Sequence, residues 1–561
     1  MLFMHYLLVV IMASHASSKQ LFDHALKGYM KYAYPSDELN PILCKPQTPI
    51  YKDVMGNFSL SLIDSLTTAL TMRQPKRFVK LMNLLRLKDF NINSTISLFE
   101  VTIRVLGALT SSALLIKDAK FMSWLTNDSV IYSKVSNCLP RLRFLSQDLG
   151  NRLLKSFNTS TGIPASKINL KYGIKAHNVT DAIKSLNLPS SHRVTNPAAA
   201  GTLILEFGML SELTNNMTYY NFAKRSLFAA FHTRTSIGLF GNEIDIDGNV
   251  LNFHHSIGGG VDSIYEYLFK GYLVFNDESL LDLFYISYQQ LLKHNAYKSH
   301  SKYHFKYNNQ CFSINMPSSF HLNVHAETAH LLIPRISGLA AFFPGLQILV
   351  GDVNHAFFHL LIYVRLLEIY PFVPESFNIN THNVEFNMYL LRPEVYESMV
   401  FVSNAFMKSR PVLQSLMTQS ISNLNKYCKT KCGYAGLNNL IMGTKDVRME
   451  SYFLSETVKY INLMYNQNHF FFAQQDYTFT TEGHPVKLLN WKRQASMYPF
   501  FNITNKLVKK MKEFQQCQIA NNPYISLLNN NTSLSSFEAH IITRKLKKIL
   551  RKAYRSVLFN F

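Results

Sequence analysis

Leu391-Arg392-Pro393-Glu394-Val395-Tyr396-Glu397, running on into Ser398-Met399-Val400-Phe401-Val402, sets the reading of the whole chain. Pro393 suits the first position of a helix, where its missing N–H costs nothing, and Glu394 stands immediately behind it. The residues that follow are apolar nearly all round, as in a helix packed on every face. A glutamate at or near the start of a largely apolar helical segment recurs at Glu100, Glu206, Glu266 and Glu450. Glu206, Glu266, Glu394 and Glu450 succeed one another at about 55–70 residues once a segment near Ser337 is counted, the span of two helices and their loops. The pattern predicts an all-α fold, a ring of helical hairpins whose inner helices bring acidic ends to one mouth.

Helical periodicity covers residues 60–70, 99–115, 142–157, 201–213, 262–275, 356–369, 393–407 and 450–465, and extended alternation is scarce. The chain has 561 residues, 47% hydrophobic and 13% aromatic, enough for a large core and too apolar for global disorder. Its net charge of +22 is spread along the chain without zinc-finger spacing or an RNA-binding aromatic signature, which excludes a nucleic-acid reader. The densest basic run, Arg544 to Arg555, reads as a solvated helix face.

Residues 1–16 read as a secretory signal, with an apolar core from Leu7 to Ala13 and small residues Ser14 and Ala16 before the cleavage point. No later stretch reaches the ~18 uninterrupted apolar residues of a membrane span, so none is expected. Nine Asn-X-Ser/Thr acceptors, at Asn57, Asn93, Asn127, Asn158, Asn178, Asn216, Asn502, Asn530 and Asn531, agree with a lumenal address. Six cysteines are too sparse for a disulfide scaffold and lack zinc spacing, leaving one or two structural disulfides as the simplest reading.

Four segments carry candidate chemistry. Glu100 and Arg104 share a helix face at i, i+4, and a carboxyl among apolar neighbours must be paired or used. The helix dipole favours an ionised Glu394, which makes it a candidate general base, with Glu375 nearby on a loop. Two carboxyls in different environments are what acid–base glycoside hydrolysis requires. Thr480-Thr481-Glu482-Gly483-His484-Pro485 is a tight loop in which Thr481 offers two hard oxygens, carbonyl and hydroxyl, suited to Ca²⁺. In the segment from Glu450, Glu456 lies beside Tyr452 and Phe453, an arrangement that suits sugar binding and core packing equally.

Further stretches complete the picture. Tyr29-Met30-Lys31-Tyr32-Ala33-Tyr34-Pro35-Ser36-Asp37-Glu38-Leu39, Gly162-Ile163-Pro164, Leu205-Glu206-Phe207-Gly208 and Asp262-Ser263-Ile264-Tyr265-Glu266-Tyr267 occur in that order. Ala341-Phe342-Phe343-Pro344-Gly345-Leu346-Gln347, Leu391-Arg392-Pro393-Glu394, Lys431-Cys432-Gly433-Tyr434-Ala435 and the Thr480–Pro485 loop follow. The series resembles glycoside hydrolase family 47, the inverting α-1,2-mannosidases, in its ER-degradation (EDEM-type) branch. The resemblance implies an (α/α)7 barrel over residues 17–490, with a C-terminal extension at 491–561. It also implies that Glu100 is the acid-side carboxylate acting through a water, Glu394 the base and Glu375 an additional proton donor. Thr481 matches the sole direct protein ligand of a Ca²⁺ ion. Arg104, Glu206, Glu266, Glu397, Tyr452, Glu456 and Glu482 match residues of the sugar pocket or of the ion's water shell. A Cys44–Cys432 disulfide is implied in the same way.

One departure stands out: Ser337 occupies a position that the resemblance assigns to a catalytic Asp, and Thr67 one that is often Asp. Two functions follow. The first is calcium-dependent trimming of high-mannose N-glycans on misfolded glycoproteins in the ER lumen, with a protein disulfide isomerase-type oxidoreductase as candidate partner. The second is a lectin-like glycan reader that has lost turnover at Ser337.

Overall fold

The structure, a computed structural model, describes residues 2–47, 55–174, 190–297, 302–307, 310–315, 320–406, 409–466, 468–489 and 491. The basic C-terminal run, Cys517 and the acceptors Asn178, Asn502, Asn530 and Asn531 lie outside the described residues.

The described chain is an (α/α)7 arrangement of helical hairpins. The inner helices are Leu60–Asp64 continued by Leu66–Thr71, Leu98–Lys117, Ile204–Thr214, Asp262–Phe275, Phe343–Val350, Glu394–Ala405, and Val458–Tyr465 with its preceding turn Phe453–Thr457. Pro75–Leu84, Leu139–Leu153, Thr218–His232, Glu278–His294, Val353–Ile369 and Arg410–Asn423 form the outer layer. The inner helices are buried nearly all round, as in Leu205, Glu206, Phe207, Met209 and Leu210 of Ile204–Thr214. Outer helices bury one stripe: Leu142, Leu145, Leu149 and Leu153 recur at three- and four-residue spacing in Leu139–Leu153.

Successive hairpins reverse by one device. Ile204–Thr214 ends at Asn215 (φ 57°), Asp262–Phe275 at Asn276 (φ 56°) and Phe343–Val350 at Gly351 (φ 87°). Asn and Gly tolerate the left-handed conformation that stops a helix and sends the chain back along it. Asp277 then accepts the Ser279 N–H and starts the next outer helix. The outer helices Pro75–Leu84, Thr218–His232, Glu278–His294 and Arg410–Asn423 and the short inner helix Phe343–Val350 are not among the segments read from periodicity.

The first helix, Leu2–Tyr32, completes the outer layer against the last inner helix, where Asn462 donates to Ser18 Oγ at 3.0 Å. At Gly28 a Cβ would lie 1.5 Å from the carbonyl oxygen of Cys432, so only glycine allows this approach. Cys432 is disulfide-bonded to Cys44, as the resemblance implied, while Cys138 and Cys428 are free and buried. Leu98–Lys117, the one described helix apolar and long enough to cross a membrane, is the buried barrel helix that carries Glu100.

The strands are short and sit around the barrel ends. Arg335–Ser337, Ser376–Asn378 and Asn383–Phe386 form one antiparallel sheet, with Ser337 opposite Ser376. Tyr477–Phe479 and Pro485–Lys487 form a hairpin that enters the barrel. Phe479 packs on Phe401 and Tyr460, and Ser111 donates to the Pro485 carbonyl at 2.6 Å, so several inner helices grip this hairpin at once.

Candidate active site

The hairpin loop Thr480–His484 is the floor of the mouth. Thr480 N–H donates to the His484 carbonyl at 2.9 Å, and Gly483 turns the chain at φ 68°. Beneath it, the buried Lys459 donates to the Gly483 carbonyl at 2.6 Å and to Thr67 Oγ1 at 2.9 Å. Thr67 also meets His484 Nδ1 at 2.9 Å. Burial pulls the Lys459 ammonium down to about 7, against the pull of Asp64, Glu456 and Glu482. Thr481 thus sits on a loop tied from below by residues of two inner helices.

Around the floor the acidic helix starts converge. Ser97 caps its helix by accepting the Glu100 N–H at 3.3 Å. Glu100 accepts from Arg104 Nε at 2.9 Å, and Arg104 Nη1 donates to Glu482 at 3.0 Å and to Ser451 at 3.0 Å. Arg104 lies in a π-helical turn, Thr102–Leu106, and Glu456 in another, Phe453–Thr457; such turns re-aim side chains and occur often at functional sites. Glu206 is fully buried; Tyr267 donates to its Oε1 at 2.6 Å, its Oε2 has no partner, and burial pushes the carboxyl up to about 8. Lys270 pairs with Glu266 and stands 3.6 Å from Glu397, whose carboxyl burial raises to about 7. Glu456 and Glu482 are buried and pushed well above the carboxylate range by desolvation, and each also faces other acidic groups.

On the far side, Arg392 forks onto Glu375 with Nε at 2.8 Å and Nη2 at 3.0 Å, while its Nη1 is 3.8 Å from Glu394 Oε1. Burial raises the Glu394 carboxyl to about 8 although Arg392 pulls it down, and its Oε2 is buried without a partner. A helix start by itself favours an ionised Glu394; desolvation outweighs the dipole here. Tyr452 is flanked by both guanidinium groups, Arg104 at 5.3 Å and Arg392 at 5.9 Å from its ring centre.

Ser337 ends its strand next to this group. Its Oγ accepts the Leu339 N–H at 3.2 Å, its carbonyl accepts from Tyr363 at 3.3 Å, and a Cβ on Gly258 would lie 3.3 Å from it. One helical turn beyond Gly258, Asp262 opens its inner helix, its N–H donating to the Gly258 carbonyl at 3.1 Å. Burial lifts the Asp262 carboxyl to about 6, with Glu266 raising it and Arg392 lowering it. Asp262 opens the Asp262–Tyr267 motif of the sequence but is not among the candidate site residues read there. Arg392, standing between two candidate glutamates, and Lys270, four residues after Glu266, were equally legible. Lys459 carries no local signal, and His484 stands in the quoted loop with nothing to mark its contact with Thr67.

Acidic groups outnumber cations in this mouth, and uncompensated buried carboxylates are costly. Here burial meets that cost by pushing Glu206, Glu394, Glu397, Glu456 and Glu482 towards their neutral forms. Residues 21–488 match the model for Glycosyl hydrolase family 47. The chain belongs to that family.

Among its relatives, Alpha-mannosidase I MNS4 of Arabidopsis thaliana is 33% identical over 83% of this chain and 68% of its own length. ER degradation-enhancing alpha-mannosidase-like protein 3 of Homo sapiens is 33% identical over 84% of this chain, which spans 47% of that relative. ER degradation-enhancing alpha-mannosidase-like protein 2 of Homo sapiens is 30% identical over 95% of this chain and 89% of its own length. An alpha-1,2-mannosidase from Trichoderma reesei shares the fold at TM-score 0.66 and 22% identity, covering 85% of this chain and 99% of its own. For a family 47 glycosidase fold, the acidic mouth lies where inner-helix starts and the axial hairpin meet.

Proposed function

We propose that this chain is an ER-lumenal, calcium-dependent α-1,2-mannosidase that trims high-mannose N-glycans on misfolded glycoproteins. The observation that carries the reading is the ring of buried carboxyls around the Thr480–His484 loop in a family 47 barrel. In an inverting reaction, Glu394 takes a proton from the attacking water, and the Glu100 side protonates the leaving oxygen through a water. A carboxyl lifted to about 8 is a stronger base than an exposed glutamate and is poised near neutral pH. Arg104 holds Glu100 and Glu482 in place, and Tyr452 packs against the guanidinium groups of Arg104 and Arg392.

Thr481 would hold the ion, with Glu206, Glu266, Glu397, Glu456 and Glu482 contributing through water. The donor set fits: hard oxygens predominate, and Glu206 Oε2 is buried with no partner. Among the described residues no group of three acidic, histidine or cysteine side chains is arranged to ligate a metal directly. Bound Ca²⁺ would supply a Lewis-acid anchor for sugar hydroxyls.

The names of the relatives and the Cys44–Cys432 bond support the lumenal address, and such a bond is what an oxidoreductase of the disulfide isomerase type would form. The acceptors Asn57, Asn93, Asn127, Asn158 and Asn216 are all exposed.

Ser337 favours the second reading, a glycan reader without turnover. Against it, Asp262 puts a carboxyl one helical turn from the Gly258 that Ser337 touches, and we assign Asp262 the acidic role that Ser337 cannot fill. Hydrolysis of a labelled high-mannose glycan tests this, with and without a calcium chelator. Asp262→Asn should lower turnover at least about 100-fold, and Ser337→Asp should change it little. Binding without hydrolysis in the native protein, with turnover gained by Ser337→Asp, would establish the glycan reader instead.

A further inference from the structure

The segment that presents Glu394 is held under strain. Leu391, fully buried, has φ 62°, a left-handed conformation that a branched residue rarely adopts. Its carbonyl accepts from Thr457 Oγ1 at 2.6 Å, and the preceding carbonyl of Leu390 accepts from the Tyr452 hydroxyl at 2.7 Å. Both clamps come from the last inner helix. Backbone held in this way around one side chain marks a position whose geometry is over-determined by its surroundings.

The side chain so presented is Arg392. Its fork occupies both oxygens of Glu375, at 2.8 and 3.0 Å. The Glu375 backbone is pinned as well: its N–H donates to the Met388 carbonyl at 3.1 Å, and its carbonyl accepts from Gly338 at 3.0 Å. Glu375 is thus held at both oxygens and along its backbone, an arrangement suited to fixing the guanidinium in one orientation. The remaining nitrogen of Arg392 faces Glu394 at 3.8 Å.

We propose that Arg392 is a positioning residue for Glu394, and that Glu375 is its anchor rather than a proton donor. The proposal rests on the mannosidase reading above. Glu375 holds the guanidinium in one orientation, and the guanidinium in turn favours the ionised, proton-accepting form of Glu394. The other ionisable groups facing Glu394 are Glu397 on its own helix, Glu456 and Tyr452 on the last inner helix, and Tyr363 on an outer helix. Arg392 is the cation among these, so the charge of Glu394 should follow it.

The test is the pH profile of hydrolysis of an α-1,2-linked mannose oligosaccharide by the full chain with calcium. The acid limb reports the base. Arg392→Met should move that limb up by about one pH unit, and Arg392→Lys, which keeps the charge without the fork, by less. Glu375→Gln removes the anchor and a negative neighbour together, two changes that oppose each other at Glu394, so the acid limb should move less than in Arg392→Met while the alkaline limb stays and kcat falls less than about ten-fold. Melting temperatures of Arg392→Met, Glu375→Gln and the double variant should be strongly non-additive, since one fork links the two residues. A lost alkaline limb or a 100-fold fall in kcat at unchanged KM in Glu375→Gln would make Glu375 the proton donor and overturn the proposal, as would additive melts. A native protein without turnover at any pH would instead remove the mannosidase reading itself.

Discussion

The hydroxyl of Tyr267 joins Glu206 to Thr481: it donates to Glu206 Oε1 at 2.6 Å and accepts the Thr481 backbone N–H at 3.2 Å. One phenol therefore holds one oxygen of a fully buried carboxyl and ties down the loop that would carry the ion. Tyr267→Phe leaves Glu206 with neither oxygen bonded, at a cost of roughly 1–3 kcal/mol. The variant should melt lower than the native protein and bind calcium more weakly. Thermal unfolding across a calcium titration checks both, and an unchanged calcium midpoint would show that the loop does not depend on Tyr267.

Calcium itself should stabilise the fold by linkage, because the unfolded chain offers no such site. A ten-fold rise in free ion above its dissociation constant should add about 1.4 kcal/mol. Scanning calorimetry with chelator and with excess calcium measures the shift. Identical melting temperatures in the two samples would count against an ion on Thr481.

Gly28 is a packing constraint. Any Cβ there meets the Cys432 carbonyl at 1.5 Å, and that atom belongs to a backbone fixed by the Cys44 disulfide. Gly28→Ala must push the first helix off the barrel, with an overpacking penalty of about 1–3 kcal/mol or more. Hydrogen exchange should become faster in Leu21, Phe22, Ala25 and Tyr29, which pack this helix on the core. Native-like protection in the variant would show that the helix tolerates the shift.

The Cys44–Cys432 bond closes a loop of sequence separation 388. Replacing both cysteines by serine should lower stability by roughly 2–5 kcal/mol, an effect attributed mainly to the freed unfolded chain. Denaturant unfolding gives the value, and non-reducing peptide mapping should recover the linked pair from the native protein.

Asp277 makes stability depend on acid. Burial works to raise its carboxyl, but Lys224, Ser279 and Tyr220 outweigh burial and hold it below its ordinary value. A group depressed on folding contributes stability that is complete above its unfolded value, near 4, and is lost as the pH falls through the folded one. Native protein should therefore lose stability steeply below about pH 4, and Asp277→Asn should be less stable at neutral pH with a shallower acid slope. Equal slopes in urea titrations at pH 3 to 7 would remove Asp277 from the account.

The hairpin ring was legible in the sequence because its signals are local. A glutamate at the start of an apolar helix, a proline at its first turn and a Gly-Pro loop each stand within a few residues of one another, as in Pro393-Glu394 and Thr480–Pro485. What the local pattern could not decide is the charge each group carries. Glu394 was expected to be ionised by its helix start, yet enclosure by other helices lifts it to about 8. Likewise nothing near Thr481 announces Lys459 or announces that Thr67, more than four hundred residues earlier by sequence, meets His484 beneath the same loop. Helix periodicity depends on neighbours in the chain. Desolvation, ion pairing and the support of a loop depend on neighbours in space, and only the packed tertiary structure supplies those.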